Sequence, residues 1–197
     1  MAGFEPGELA TLEELLYGIM LPSGAECCLA YADWIAGSEV DFVLLMNQRA
    51  RELGMDDTNF ANCTGLHSAD HYTTANDLAI LLRYALQNET FRQVFTTEDF
   101  MVTPSVLHPY GFNLHSTLAT AMAQCDTPLP DGLSILGGKT GYTSAAGLCL
   151  ASLAEVGVEE YLLITVGAEG SLDSPPYHVM DAIELYCKCS IAGTVKI

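Results

Sequence analysis

Apolar residues recur at helical spacing through the first half of the chain and gather into short continuous runs in the second. Leu12, Leu15, Leu16, Ile19 and Met20 fall on one helical face, and Thr11 with Glu14 three positions later forms a capping-box pattern. Pro22 stops that helix, Ser23-Gly24 turns the chain, and a second helix is expected from Ala25 to Ala36. Ser38 and Asp41 open a third, with Phe42, Leu45, Met46, Arg49 and Leu53 on one side and Gly54 as its C-cap. The segment from Thr58 to Cys63 reads as extended or irregular. Thr74 and Asp77 begin a fourth helix carrying Leu78, Leu81, Leu82 and Ala85, which Asn88 closes, and residues 90–95 form a short fifth.

Beyond residue 95 the pattern changes. Phe100-Met101-Val102 predicts a strand, and residues 105–130, among Pro104, Pro109, Pro128 and Pro130, predict loops. Strands are expected over 137–143, 147–155 and 160–168, antiparallel because their links are short. Pro175-Pro176 then opens a helix through Val179, Ala182, Ile183, Leu185 and Tyr186 that should cover the sheet. The expected organisation over residues 1–197 is α+β: a helical lobe over about 8–95, linker and loops over about 96–135, and sheet strands with a final helix over about 136–190.

Composition narrows the function. The net charge of −18 argues against nucleic acid and anionic membrane surfaces as partners, because both repel it. Half of the residues are hydrophobic, enough for a substantial core, yet no apolar run reaches the ~18 residues of a spanning helix. The seven cysteines have mostly apolar neighbours and no matching histidine spacing, so they read as buried thiols. His67, Asp70 and His71 lie in a polar stretch that reads as a hydrogen-bonding loop rather than a metal site. No secretory signal opens the chain, and its start directly before a helix reads as a cut.

The chemistry centres on Gly137-Gly138-Lys139-Thr140-Gly141-Tyr142-Thr143, which sets one of three lysines between glycines. Glycines let a backbone approach a ligand, the ammonium supplies a point charge and the threonine a hydroxyl. A phosphate-binding loop needs a glycine five positions before Gly138, but Leu133 stands there, so that pattern fails by one residue. Upstream, Ser23 lies between two helices, either as the cap of the second or as a displayed hydroxyl.

In series, these stretches resemble the D-alanyl-D-alanine carboxypeptidase family, the low-molecular-mass penicillin-binding proteins of serine peptidase type S11. Leu15-Leu16-Tyr17 and Leu21-Pro22-Ser23-Gly24 resemble the helix running into the family's second motif, Ser-x-Asn. Met46-Asn47, Leu53-Gly54-Met55, Thr58-Asn59-Phe60, Gly65-Leu66-His67 and Tyr72-Thr73-Thr74-Ala75 through Asp77-Leu78 continue the series. Lys139-Thr140-Gly141, Thr143 and Ala146-Gly147 resemble the third motif. The resemblance implies a β-lactamase/transpeptidase-like fold and acyl transfer on peptidoglycan stem peptides, with β-lactams as mimics and no cofactor or metal. It assigns Ser23 to relaying a proton toward the leaving amine and Lys139 to binding Ser23 and drawing the substrate carboxylate. Thr140, Gly141, Tyr142 and Thr143 become substrate-binding, with the Tyr142 N–H as one oxyanion donor. The substrate also implies a site of action outside the cytoplasmic membrane for a longer parent protein.

The sequence departs from the family in three places. The residues three positions before Lys139, Lys188 and Lys196 are Leu136, Leu185 and Gly193, so the nucleophile motif Ser-x-x-Lys is absent. The chain is therefore expected to be the C-terminal portion of a larger serine carboxypeptidase, inert by itself, with the alternative of a non-catalytic module that binds wall peptides or a partner protein. Ala25 stands where the family usually has Asn, and an unpaired substrate amide there costs about 1–3 kcal/mol. No arginine follows Arg92, which leaves Lys139 and Thr140, with His115, to hold the carboxylate. The resemblance also places further strands beside Tyr161–Val166; an open edge there predicts self-association.

Overall fold

The computed structural model describes residues 1–125 and 128–192, and side chains among them through Cys189. The chain divides into two compact units, Met1–Thr117 and Leu118–Ile197.

The first unit carries α1 (Leu12–Met20), α2 (Ala25–Ala36), α3 (Glu39–Leu53), α4 (Ala75–Ala85) and α5 (Glu89–Phe95), then the antiparallel pair β1 (Asp99–Val102) and β2 (Phe112–His115). The Thr11–Glu14 capping box forms in both directions, and the Glu14 carboxylate also accepts from the Thr103 N–H at 2.9 Å and hydroxyl at 2.7 Å. Burial alone would raise the Glu14 pKa, but the bonds from Thr11 and Thr103 outweigh it and hold the carboxyl below its ordinary value. Gly37 and Gly54 end α2 and α3 in left-handed caps. Tyr17, Leu21, Val94, Val102 and Leu114 form the core, with Tyr17 stacked on Phe100 at 3.8 Å.

The residues in the middle of the family series tie this unit together. The Asn47 side chain exchanges two hydrogen bonds with the Phe60 backbone, each 2.8 Å. Buried Asp77 accepts from the Thr58 hydroxyl at 2.7 Å and the Asp57 N–H at 3.1 Å, and Asn59 pairs with Tyr72 as an antiparallel bridge. The His67–His71 stretch is a hydrogen-bonding loop: His71 Nδ1 accepts from the Ala61 N–H, and the Asp70 carbonyl accepts from Asn59.

The second unit begins within α6 (Thr117–Ala123) and continues with β3 (Leu133–Thr143), β4 (Gly147–Val156), β5 (Glu159–Ala168) and α7 (Tyr177–Ala192). The sheet order is β3-β4-β5, all antiparallel. Leu118, Leu133, Leu150, Ala154, Val156, Val179, Ala182, Ile183 and Tyr186 make its core, so α7 covers one sheet face as expected. The Tyr186 hydroxyl bonds to Ser152 at 2.9 Å inside that layer, and burial pushes the phenol up to about 12.

Three readings change. Residues 105–130 are not all loop: β2 and α6 form between the prolines, with Leu118, Ala121 and Met122 at i, i+3, i+4 spacing on the core. Asn88 does not close α4, which ends at Ala85; it caps α5, accepting from the Phe91 N–H at 3.0 Å. Of the seven cysteines only Cys27 is buried, and the other six are half-buried.

Candidate active site

Ser23 and the Lys139–Thr143 stretch lie in different units, the serine in the first and the strand residues in the second. At the serine, α1 runs out against Pro22, which has no N–H to continue the ladder. The Gly24 N–H turns back to the Gly18 carbonyl at 2.8 Å, and Gly24 caps α2 without a side-chain bond. Ser23 is therefore not the cap of α2. Its φ is +61°, making it the one non-glycine residue with positive φ among the described residues, and its side chain is exposed. A left-handed serine costs about 1–2 kcal/mol and persists only where its surroundings hold it.

Those surroundings are specific. A Cβ on Gly24 would lie 2.7 Å from the Ala2 Cβ and 2.9 Å from the Gly18 carbonyl oxygen, so Ala2 packs directly on the turn. Ala2 is held by Glu26: Oε1 of this α2 side chain accepts from the backbone N–H groups of Ala2 and Gly3. The Thr117 N–H donates to the Leu21 carbonyl at 3.1 Å, fixing the end of α1 from a second direction.

Lys139, Thr140, Gly141, Tyr142 and Thr143 are consecutive on β3, paired with Ala151, Leu150, Cys149, Leu148 and Gly147 of β4. Ser152 and Leu150 face α7, so alternation puts Lys139 and Gly141 on the sheet face away from α7 and Thr140 on the face toward it. Since β3 is an outer strand of this sheet, a ligand lying along its free edge reaches groups from both faces. The Lys139 ammonium donates to the Thr140 carbonyl at 2.7 Å. The Thr143 hydroxyl accepts from the Ala146 N–H at 3.0 Å and shapes the turn into β4.

The glycines of the triplet differ. A Cβ on Gly138 would meet the Ala151 carbonyl oxygen at 2.7 Å and Leu118 Cδ2 at 2.8 Å, whereas Gly141 faces open space. Gly138 lets the strand lie close to its neighbours, and Gly141 leaves room beside Lys139. β3 begins at Leu133 rather than Gly137 because Leu133, Ser134 and Ile135 pair with Val156, Glu155 and Ala154, and a bulge between Ile135 and Gly137 takes up one residue before the triplet.

His115 is engaged elsewhere. Its Nδ1 pairs with Asp99 at 2.8 Å across β1 and β2, and Asp99 also accepts from Asn113. A groove of about 430 Å³ lined by Phe42, Leu45, Met46, Met55, Phe60 and Leu81, among others, contains none of the six site residues. Among the described residues no group of three His, Cys, Asp or Glu side chains is placed to hold a metal, and no helix is long and apolar enough to cross a membrane. Sequence reasoning missed the Glu26 link; an acid in the first turn of α2 was the only local signal for it.

Comparison with known proteins identifies the family. The D-alanyl-D-alanine carboxypeptidase family profile, Peptidase S11, matches residues 3–170. D-alanyl-D-alanine carboxypeptidase DacF of Bacillus subtilis is 35% identical over 165 residues, covering 83% of this chain and 40% of the relative. DacC of Escherichia coli is 28% identical over 165 residues, covering 84% and 38%. A mutant of the Streptomyces K15 DD-transpeptidase superposes with a TM-score of 0.79 at 26% identity, over 96% of this chain and 72% of that one. A penicillin-binding protein homologue from Mycobacterium tuberculosis gives 0.79 at 25% identity, over 99% and 70%. The chain thus spans about 40% of the length of those curated relatives. The helices and the antiparallel sheet agree with these matches: the chain belongs to the D-alanyl-D-alanine carboxypeptidase family of low-molecular-mass penicillin-binding proteins.

Proposed function

We propose that this chain supplies the second and third motifs of a serine-type D-Ala-D-Ala carboxypeptidase that acts on peptidoglycan stem peptides through an acyl-enzyme, outside the cytoplasmic membrane. The observation that carries the reading is the exposed, left-handed Ser23 between α1 and α2, the residue that the sequence resemblance aligns with the family's Ser-x-Asn serine. In this reading Ser23 passes a proton to the departing D-alanine, and Lys139 supplies positive charge for that serine and for the terminal carboxylate. Thr140 offers its hydroxyl to the carboxylate, and Gly141 and Thr143 shape the strand along which the peptide lies. The Tyr142 N–H is one oxyanion donor, a contribution of about 3 kcal/mol to the acylation barrier.

The 197 residues contain no Ser-x-x-Lys, so this polypeptide alone is inert in acylation. Incubation with benzylpenicillin or nitrocefin followed by intact mass is expected to show no adduct, and a covalent adduct would refute this. Joined in frame to a segment carrying Ser-x-x-Lys, the same residues are expected to support acylation that Lys139→Ala abolishes. A second reading, a non-catalytic module that binds wall peptides, is favoured by Ala25 in place of the family's Asn. Calorimetric binding of a D-Ala-D-Ala peptide, with acylation still absent in the joined protein, would select it. Another copy of the chain is a further candidate partner, at the outer edge of β5.

A further inference from the structure

We infer that Glu26 is the positioning residue of the candidate site: its carboxylate straps residues 2–3 across Gly24 and so holds Ser23 in its left-handed, outward conformation. The inference rests on the reading of Ser23 as a site residue. Four observations converge on it. Ser23 alone among the described non-glycine residues has positive φ, so something must oppose its relaxation. The turn has no side-chain cap of its own, since Gly24 occupies the cap position of α2. Ala2 packs on Gly24 so closely that a Cβ there would overlap it, as it would the Gly18 carbonyl that receives the Gly24 N–H. Ala2 and Gly3 in turn both donate to Glu26 Oε1, across 24 and 23 residues of sequence.

The carboxylate also carries a feature that packing alone does not call for. Glu26 Oε2 is buried and has no hydrogen-bond partner in the structure. A buried oxygen without a donor is unfavourable, so a side chain chosen only for stability would be apolar or fully bonded. The first turn of α2 offsets part of this, because its free N–H groups favour a negative charge. Glu26 therefore connects three things: the start of α2, the segment laid over Gly24, and through Gly24 the backbone of Ser23. Movement of residues 2–3 would be transmitted to the serine through that contact.

The test reads Ser23 directly by nuclear magnetic resonance on the whole chain. A left-handed residue gives a strong intraresidue HN–Hα Overhauser signal, and the bonded Gly24 amide gives a measurable exchange rate. Glu26→Ala is expected to weaken the Ser23 signal and to speed Gly24 exchange about tenfold, with the Asn59–Tyr72 bridge amides unchanged. Glu26→Gln, which keeps an accepting oxygen, is expected to retain both wild-type values. An unaltered Ser23 signal in Glu26→Ala, or loss of it in Glu26→Gln, overturns the assignment. Should Glu26→Ala fail to fold, Ala2→Pro decides: it removes one donor and leaves Glu26, and unchanged values at Ser23 and Gly24 overturn the proposal. A separate titration of Ser23→Ala with a D-Ala-D-Ala peptide tests the site reading alone. Wild-type peptide shifts there would sink that reading and leave the Glu26 geometry standing.

Discussion

The turn that carries Ser23 and the strand that carries Lys139 hold their polar groups by opposite means. The turn is unfavourable in itself. A serine sits at φ +61°, and contacts from Ala2 and Thr117, distant in sequence, together with Glu26 of the adjoining helix, hold the segment around it. The strand is ordinary β-structure: ten residue pairs join β3 to β4, and α7 packs behind them. Strain at the first predicts that relaxing substitutions stabilise. Close packing around Gly138 predicts that an atom added there destabilises. A conformation held at a cost requires surroundings that hold it, as a regular ladder does not.

The largest test of that contrast is Gly138→Ala. The new Cβ would press on the Ala151 carbonyl, which cannot move without the ladder, and on Leu118; a loss of about 2 kcal/mol in urea unfolding is expected. Gly141→Ala, three positions on and facing open space, should fall within about 0.5 kcal/mol of wild type. Equal effects at the two glycines would remove the packing argument. Next is Tyr186→Phe, which deprives the buried Ser152 hydroxyl of its 2.9 Å partner behind the strand; a loss of about 1 kcal/mol is expected. At the turn the sign reverses. Ser23→Gly should raise stability by up to about 1 kcal/mol, and a destabilised variant would show that the left-handed serine is not strained.

The smallest effect is electrostatic. The hydrogen bond from His108, then that from Ser105, lowers the Glu8 carboxyl from 4.5 to about 2. A carboxyl depressed in the folded state contributes stability that is complete above its ordinary pKa and is lost as pH falls toward the folded value. The gap in urea midpoint between wild type and Glu8→Gln should therefore close as pH falls from 4.5 toward 2. A gap that stays constant across this window would remove the pair from the account of the first unit.

Much of this was legible because it follows local rules. The Thr11–Glu14 box, the Ser38 and Thr74 caps, the Gly54 stop and the three sheet strands each follow from residues within a few positions of one another. The prolines at 104, 109, 128 and 130 concealed β2 and α6, although they flank the 110–127 window rather than interrupt it. The family's middle motifs could be matched in sequence, but their work could not be seen there, because Asn47 reaches Phe60 and Asp77 reaches Asp57 and Thr58 across gaps of 13 to 20 residues. The left-handed serine and the Glu26 strap were hidden for the same reason. Both depend on which distant backbone packs on Gly24, and no local pattern encodes that.

The bulge before the triplet has a consequence of parity. Because successive side chains on a strand alternate in direction, one additional residue inverts the direction of everything beyond it. Ile135 opposes Ala154 and Gly137 opposes Leu153, so Leu136 is the supernumerary position. Were Leu136 instead paired regularly with Leu153, Lys139 would stand opposite Leu150 with its ammonium turned inward beneath α7, while the motif itself stayed intact in every letter; deleting Leu136 would leave Lys139 opposite Ala151. Whether this strand offers its cation to a ligand or entombs it is decided three residues upstream, by a leucine that belongs to no motif.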